Sequence, residues 1–192
     1  MNNKRNSFKL KMTKKYSKPL NIVINIVSVL LIAVLVIALV LWLVFPHEAV
    51  GLEYRKTGDR ECKITGKGIC IDTDLIIPSN YGRHQVVGID NNAFYAYHKL
   101  KSVVMPNGVI EIGTYAYYNC DNLTSVTIPG SVKIIGIAAF QNCFDLKNIT
   151  YKGTISEWLA ISKEVHWDFN TPDYTVYCMD GVVAKDGMVT YY

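Results

Sequence analysis

The chain has 192 residues, half of them hydrophobic, and a formal net charge of +4, which leaves room for one modest domain and an appendage. Seven of the 20 basic residues lie in positions 1–20, so 13 basic residues face 16 acidic ones in the rest. The part after position 45 is therefore slightly acidic. It lacks the basic footprint of a nucleic-acid-binding protein, and no nucleic acid partner is expected.

Residues 22–45 form an almost unbroken apolar run, interrupted only by Asn25 and Ser28. As an α-helix, at ~1.5 Å per residue, the run would be about 36 Å long, and a bilayer's hydrocarbon core is roughly 30 Å thick. We therefore predict an uncleaved transmembrane helix over 21–45, with the lipid bilayer as its partner. The alternatives are a buried core helix, which rarely carries so many consecutive apolar residues, and a cleaved signal peptide, whose apolar region is usually shorter.

The charges around this run predict its orientation. The tail 1–20 carries seven lysines and arginines and no acid, whereas few basic residues follow the run. By the positive-inside rule the N-terminus is cytoplasmic and the C-terminal domain lies outside, at the cell surface. Residues 46–60 are predicted to be a stalk.

The exported part contains a repeat. The stretch "IGTYAYYNCDNLTSVTIP", 112–129, returns 23 residues later as "IGIAAFQNCFDLKNITY". Three copies align over 86–152 without an insertion, and a period of this length indicates a solenoid whose units share one core. The aligned apolar columns predict these core residues: Val86, Ile89, Phe94, Leu100, Val103, Val109, Ile112, Tyr117, Cys120, Leu123, Val126, Ile128, Val132, Ile135, Phe140, Cys143, Leu146 and Ile149.

Each unit is predicted to be rich in β-structure. "LTSVTIP" has the β-branched residues and closing proline of a short strand, and "VIEIG" resembles a second one. "TYAYYNC" between them has room for one helical or 3₁₀ turn.

Both open ends of the stack need a cap. Upstream, 61–85 combines a hairpin over 61–72 with a broken repeat. Downstream, 153–192 begins with Thr154 and Glu157 at the spacing of a capping box. The following helix would close the last repeat with Ile155, Trp158 and Ile161 on one face, and Asp186-Gly187 is a typical hairpin turn.

Five cysteines lie in the exported part. Cys62 and Cys70 flank the predicted hairpin "KITGKGI", and a disulfide between them is a candidate pairing in an oxidising compartment. Cys120 and Cys143 hold equivalent repeat positions and are predicted to be small core residues. Cys178 has no obvious partner.

The pattern of residues 62–183 resembles the BspA-like leucine-rich repeats of microbial surface proteins. Phe140, Cys143, Leu146 and Ile149 fit that pattern, although Tyr117 stands where phenylalanine is usual. The resemblance implies a protein displayed at the cell surface, with a function in adhesion.

No residues with the spacing of a catalytic, metal or phosphate site were found, so no cofactor and no enzymatic activity are expected. His84, His98 and His166 stand in three separate contexts. Glu157 and Glu164 lie in the predicted cap and are better explained as solvated residues.

The expected function is binding of a protein or a surface polymer. The alternative is assembly with another membrane protein, and a membrane-bound enzyme is the least favoured possibility. Polar strand positions and turn tyrosines are suited to recognition, although they could simply be solvent-facing. The candidate binding face comprises Tyr95, Tyr115, Tyr118, Lys101, Ser102, Thr124, Ser125, Thr127, Lys147, Asn148 and Thr150.

Overall fold

The computed structural model describes residues 28–38 and 49–192. The chain divides into two units, 1–47 and 48–192. In the first unit, residues 28–38 form a helix, α1, with exposed apolar side chains. Within the described ranges, no helix has the length and apolar character needed to cross a membrane. Most of the predicted segment 21–45 and all of the tail 1–20 lie outside the described residues.

The second unit is built from short strands. Its first seven are β1 (Glu53–Lys56), β2 (Glu61–Gly66), β3 (Asp74–Ile76), β4 (Asn80–Tyr81), β5 (His84–Ile89), β6 (Ser102–Val104) and β7 (Glu111–Ile112). The next seven are β8 (Ser125–Pro129), β9 (Ile134–Ile135), β10 (Asn148–Lys152), β11 (Ser162–Lys163), β12 (Thr175–Cys178), β13 (Gly181–Ala184) and β14 (Val189–Tyr191). A helix, α2 (Ile155–Ala160), lies between β10 and β11.

The strands form two sheets that share one core. The first sheet has the order β1-β2-β5-β7-β9-β11, with β4 paired to β5. The second sheet has the order β14-β13-β12-β10-β8-β6-β3. Each rung of the solenoid contributes one strand to each sheet, and neighbouring rungs pair in parallel, as β6 with β8 and β7 with β9. A 23-residue unit thus returns each side chain to the same place one rung later.

The core is a set of columns that run through the stack. All eighteen core positions predicted from the repeat are at most 1% exposed. In one column the rings of Phe94, Tyr117 and Phe140 stack with centroids 5.1 and 5.2 Å apart. Trp167 closes this column edge-on against Phe140, at 6.3 Å. Stacked rungs exclude water from side chains that one rung alone would leave exposed.

The turn between the two strands of a rung is not the expected helical or 3₁₀ turn. Two residues per turn have a left-handed backbone: Tyr115 and Asn119 have φ of 55° and 57° in one rung, and Ala138 and Asn142 have 51° and 60° in the next. Such residues cannot continue a right-handed helix. Their N–H groups instead donate to the following rung, as Tyr115 does to the carbonyl of Ile137 at 2.9 Å.

The repeat continues further than the predicted boundary at residue 152. β11 pairs in parallel with β9, and β12 with β10. The turn between them repeats the left-handed pair at His166 and Asn170. A further rung therefore lies inside the predicted cap 153–192, and the insertion of α2 had hidden its spacing.

The C-terminal cap otherwise has the predicted elements. Thr154 and Glu157 form a capping box at the start of α2, and Ile155 and Trp158 are buried beneath it. After β12 the chain turns back twice, and Gly187, with φ of 89°, lies in the turn between β13 and β14.

The N-terminal cap differs from the prediction. The hairpin pairs β1 with β2 in antiparallel fashion, so 61–72 does not fold back on itself as expected. The described part of the predicted stalk, 49–60, belongs to the domain, because Ala49 and Leu52 are buried in its core. Ala49 and Leu52 thus help to close the N-terminal end of the core. The surrounding polar residues of the segment gave no sign of this burial.

The predicted disulfide between Cys62 and Cys70 is absent: both are free, buried thiols. Their side chains turn to different partners, since Cys62 Sγ lies 3.5 Å from the carbonyl of Gln85 and Cys70 Sγ lies 3.5 Å from Asp72 Oδ2. The pairing was inferred from a hairpin that the chain does not form.

Candidate functional site: two faces of the solenoid

The predicted binding residues lie on two different surfaces. None of the eleven is buried. Eight belong to, or directly precede, strands of the second sheet, and we call this surface the strand face: Lys101, Ser102, Thr124, Ser125, Thr127, Lys147, Asn148 and Thr150. The other three, Tyr95, Tyr115 and Tyr118, lie in the turns that join the two sheets, and we call them the tyrosine cluster.

Parallel pairing in register arranges the strand face in rows. Ser102, Ser125 and Asn148 are successive partners across β6, β8 and β10. Side chains of a strand alternate between the two faces of the sheet, so these polar residues point outward while Val103 and Val126 point to the core. Thr124 also hydrogen-bonds the carbonyl of Lys101 through its Oγ1, at 2.9 Å.

Sequence reasoning missed three members of these rows. Asp74 of β3 pairs with Ser102, whose Oγ lies 2.6 Å from its Oδ1, so the strand face contains an acid that the aligned copies lack. At the other end, Thr175 of β12 pairs with Asn148 and continues its row. Tyr177 of β12 pairs with Thr150 and continues the row of that residue. Asp74 could have been predicted, because Leu75 beside it fits the strand pattern of the repeat. Thr175 and Tyr177 could not, because the insertion of α2 shifts their rung out of the 23-residue period.

The three rings of the tyrosine cluster form one contact network through Tyr118. Tyr95 and Tyr118 stack with centroids 5.1 Å apart and an interplanar angle of 11°. Tyr115 packs edge-on against Tyr118 at 5.4 Å. Tyr95 remains 50% exposed and Tyr115 38% exposed. The rings support one another and still present surface to solvent, so little side-chain entropy would be lost when a partner covers them.

Tyr115 occupies a strained backbone position. Its φ of 55° is left-handed, a conformation that Gly, Asn and Asp tolerate and a bulky residue does not favour. The equivalent position is Asn92 one rung earlier and Ala138 one rung later. Folding therefore places a large ring where asparagine would be less strained.

In residues 49–192 the cysteines are buried thiols that burial keeps protonated. Cys120 donates its thiol to the carbonyl of Phe94 at 3.2 Å, and burial raises the pKa of this thiol to about 12. Burial also raises the pKa of Cys143. His98 Nδ1 lies 2.6 Å from Asp121 Oδ1 at the surface. Across the described residues no group of three His, Cys, Asp or Glu side chains is arranged to hold a metal ion.

Residues 73–161 match the family described as BspA type leucine rich repeat region, with six copies. The repeats of this section are therefore similar to leucine-rich repeats of the BspA type, and solenoids of this kind generally present binding surfaces. The expected family resemblance is confirmed for this section. No curated protein matches the chain at a significant level.

Three solved structures share the fold. A leucine-rich repeat protein of T. pallidum has 25% identity and a TM-score of 0.51, with 58% of this chain and 56% of that one covered. One from Bacteroides ovatus has 25% identity and a TM-score of 0.52, with coverage of 70% and 37%. One from Bacteroides capillosus has 24% identity and a TM-score of 0.56, with coverage of 69% and 99%. The matched part thus spans about half of the T. pallidum protein and less of the B. ovatus one.

Proposed function

We propose that this protein is a membrane-anchored, surface-exposed leucine-rich repeat module that binds a protein or a surface polymer. The observation that carries the proposal is the tyrosine cluster: two partly exposed rings packed against Tyr118, one of them, Tyr115, on a strained left-handed backbone. Aromatic anchors of this kind dominate many binding interfaces. The anchor is the apolar run 21–45, with the N-terminus in the cytoplasm and the repeats outside.

The strand face supports the same function in a secondary way. Its rows of small polar side chains and two lysines offer adaptable hydrogen bonds beside rigid aromatic anchors. A domain of this size presents a single interface of about 800 Å² per partner at most. A few residues must therefore supply most of the binding free energy, and we assign that part to the tyrosines.

Site-specific photo-crosslinking in intact cells tests the proposal. A photoreactive phenylalanine analogue replaces the partly exposed Tyr118, and a control carries it at the exposed Met188. We expect an adduct from position 118 and none from position 188. An adduct with an external protein or polymer supports adhesion, and one with a membrane protein of the same cell supports the alternative, assembly. Absence of any adduct at 118 would argue against the tyrosine cluster as a binding site.

The strain at Tyr115 allows a sharper version of this test. Tyr115→Asn should raise the free energy of unfolding by about 1 kcal/mol, because asparagine tolerates a left-handed backbone, and it should weaken the adduct at 118 because a ring is lost. The control His166→Asn, at an exposed and equally left-handed turn position of the rung that follows α2, should leave the adduct unchanged. If Tyr115→Asn leaves the adduct unchanged, the ring has no role in binding.

A further inference from the structure

Three large apolar side chains are exposed at the N-terminal end of the repeat domain. Val50, Ile69 and Ile71 are 76%, 85% and 79% exposed. A single exposed aliphatic side chain needs no explanation, but a group of them marks an interaction surface. We call these three residues the N-terminal patch.

The patch is held together by backbone contacts between two segments. The N–H of Ile69 donates to the carbonyl of Gly51 at 3.1 Å. A Cβ added to Gly51 would lie 2.6 Å from Ile69 Cγ1. The segments 49–51 and 67–71 therefore lie directly against each other, and Val50 and Ile69 belong to one corner of the domain.

A cationic groove adjoins the patch. This groove, of about 290 Å³, is lined by Ile71 and Tyr97 together with Lys67, His98 and Lys99. Lys67 Nζ lies 5.3 Å from the centroid of the Tyr97 ring. Three carboxylates lie nearby: Asp121 contacts His98, Asp72 contacts the Cys70 thiol, and Glu53 lies beside the glycines that flank Lys67. Exposed aliphatic side chains beside lysines are the pattern of a surface that lies in a lipid interface.

The chain itself indicates which partner meets this corner. Ala49 is buried, and its N–H donates to the carbonyl of Ile76 at 2.7 Å, so the described domain starts at this corner. Only residues 46–48 separate it from Phe45, the end of the apolar run. At no more than ~3.6 Å per residue, the four steps from Phe45 to Ala49 span at most about 14 Å. A domain anchored in this way keeps the corner close to the bilayer surface.

We infer that the N-terminal patch docks on the bilayer that carries the anchor, with Val50, Ile69 and Ile71 at the level of the headgroups and lipid phosphates against Lys67 and Lys99. The inference rests on the anchor of the proposed function. Docking would orient the solenoid and hold the tyrosine cluster at a constant height above the membrane. Each lysine near an anionic surface strengthens such binding.

The test uses the full-length protein in vesicles of phosphatidylcholine and phosphatidylglycerol. A polarity-sensitive fluorophore is attached at Ile71→Cys or, as a matched control, at Met188→Cys, near the other end of the second sheet. The five native cysteines are buried, so the introduced thiol is the one that reacts. We expect a blue-shifted emission at position 71 and quenching by nitroxide-labelled lipids, with neither effect at position 188.

A second pair of variants distinguishes a loss of docking from a general effect of surface substitution. With the fluorophore at Ile71→Cys, the double change Val50→Ser and Ile69→Ser should abolish quenching, whereas Met179→Ser with Met188→Ser should leave it unchanged. Anchoring is measured separately, as resistance to extraction with alkaline carbonate. If the protein is anchored and position 71 behaves like position 188, docking is wrong and the anchor stands. If the protein is extracted, the anchor fails and docking fails with it.

Discussion

The buried hydroxyl of Tyr117 is a destabilising feature in an otherwise regular column of stacked rings. The ring stacks between two phenylalanines, and in the described structure the buried hydroxyl has no hydrogen-bond partner. An unpaired buried hydroxyl costs roughly 1–3 kcal/mol. Phenylalanine, which the repeat pattern favours at this position, would therefore be more stable here than tyrosine.

We predict that Tyr117→Phe raises the free energy of unfolding by about 1 kcal/mol, because it removes the unpaired hydroxyl and keeps the ring. Tyr97→Phe is the matched control. The hydroxyl of Tyr97 donates to the carbonyls of Cys70 and Asp72, at 3.2 and 2.9 Å, so its loss should destabilise the domain by a similar amount. Denaturant unfolding measures both, and a loss of stability in Tyr117→Phe would contradict the assignment.

The buried thiols should make the stability of the domain depend on alkaline pH. Burial raises the pKa of Cys120 from 9.0 to about 12, so the folded state favours the protonated thiol more strongly than the unfolded state does. The resulting stabilisation is complete below pH 9 and is lost as the pH rises through the folded-state pKa of about 12.

We therefore expect the free energy of unfolding, measured with urea at a series of pH values, to fall between about pH 9 and pH 12. Cys120→Ala should reduce the slope in this window, although it also lowers stability at neutral pH by creating a cavity. A stability that stays constant across the window would show that these thiols titrate normally in the folded protein.

At the scale of the element, the rung depends on glycines that permit close approach between turns. A Cβ on Gly136 would lie 2.6 Å from the backbone nitrogen of Thr114, and one on Gly113 would lie 2.7 Å from that of Asn91. These contacts are with backbone atoms of the preceding rung, which cannot move without breaking the ladder. The glycine in each "IG" pair is thus required by stacking.

Gly136→Ala should consequently lower the free energy of unfolding by about 1–3 kcal/mol through overpacking. Gly58→Ala serves as the control, because its nearest neighbour would be 3.8 Å from the added Cβ and the change should be nearly neutral. Equal melting temperatures for the two variants would rule out the steric explanation.

The strands and the turn differed in how far they could be predicted. β8 and β10 follow from β-branched residues alternating with the core columns, which is a local pattern. The left-handed residues of the turn were not predicted, because Tyr115 and Ala138 have no local preference for that backbone. Hydrogen bonds to the next rung stabilise it, and they exist only once the rungs are stacked.

At the scale of the whole molecule, the stack behaves as a one-dimensional array whose stability sums over rungs and the interfaces between them. The two sheets pair in register from rung to rung. An internal rung can therefore be removed if the register is kept.

Deletion of 113–135, one full period, should give a folded domain with an unchanged circular-dichroism spectrum and a lower melting temperature. Deletion of 113–134 leaves one residue too many. It should disrupt folding, because a one-residue shift moves core side chains to the opposite face. If both deletions fold equally well, the register does not determine the fold.

The sequence by itself determined the solenoid, its period, its eighteen core positions and the start of the helix α2, because apolar spacing and capping residues act locally. Only the tertiary structure decided how the N-terminal cap pairs, that Cys62 and Cys70 turn apart, that another rung follows α2, and that Tyr95, Tyr115 and Tyr118 meet. Each of these depends on contacts between residues distant in the chain, and no local preference encodes them.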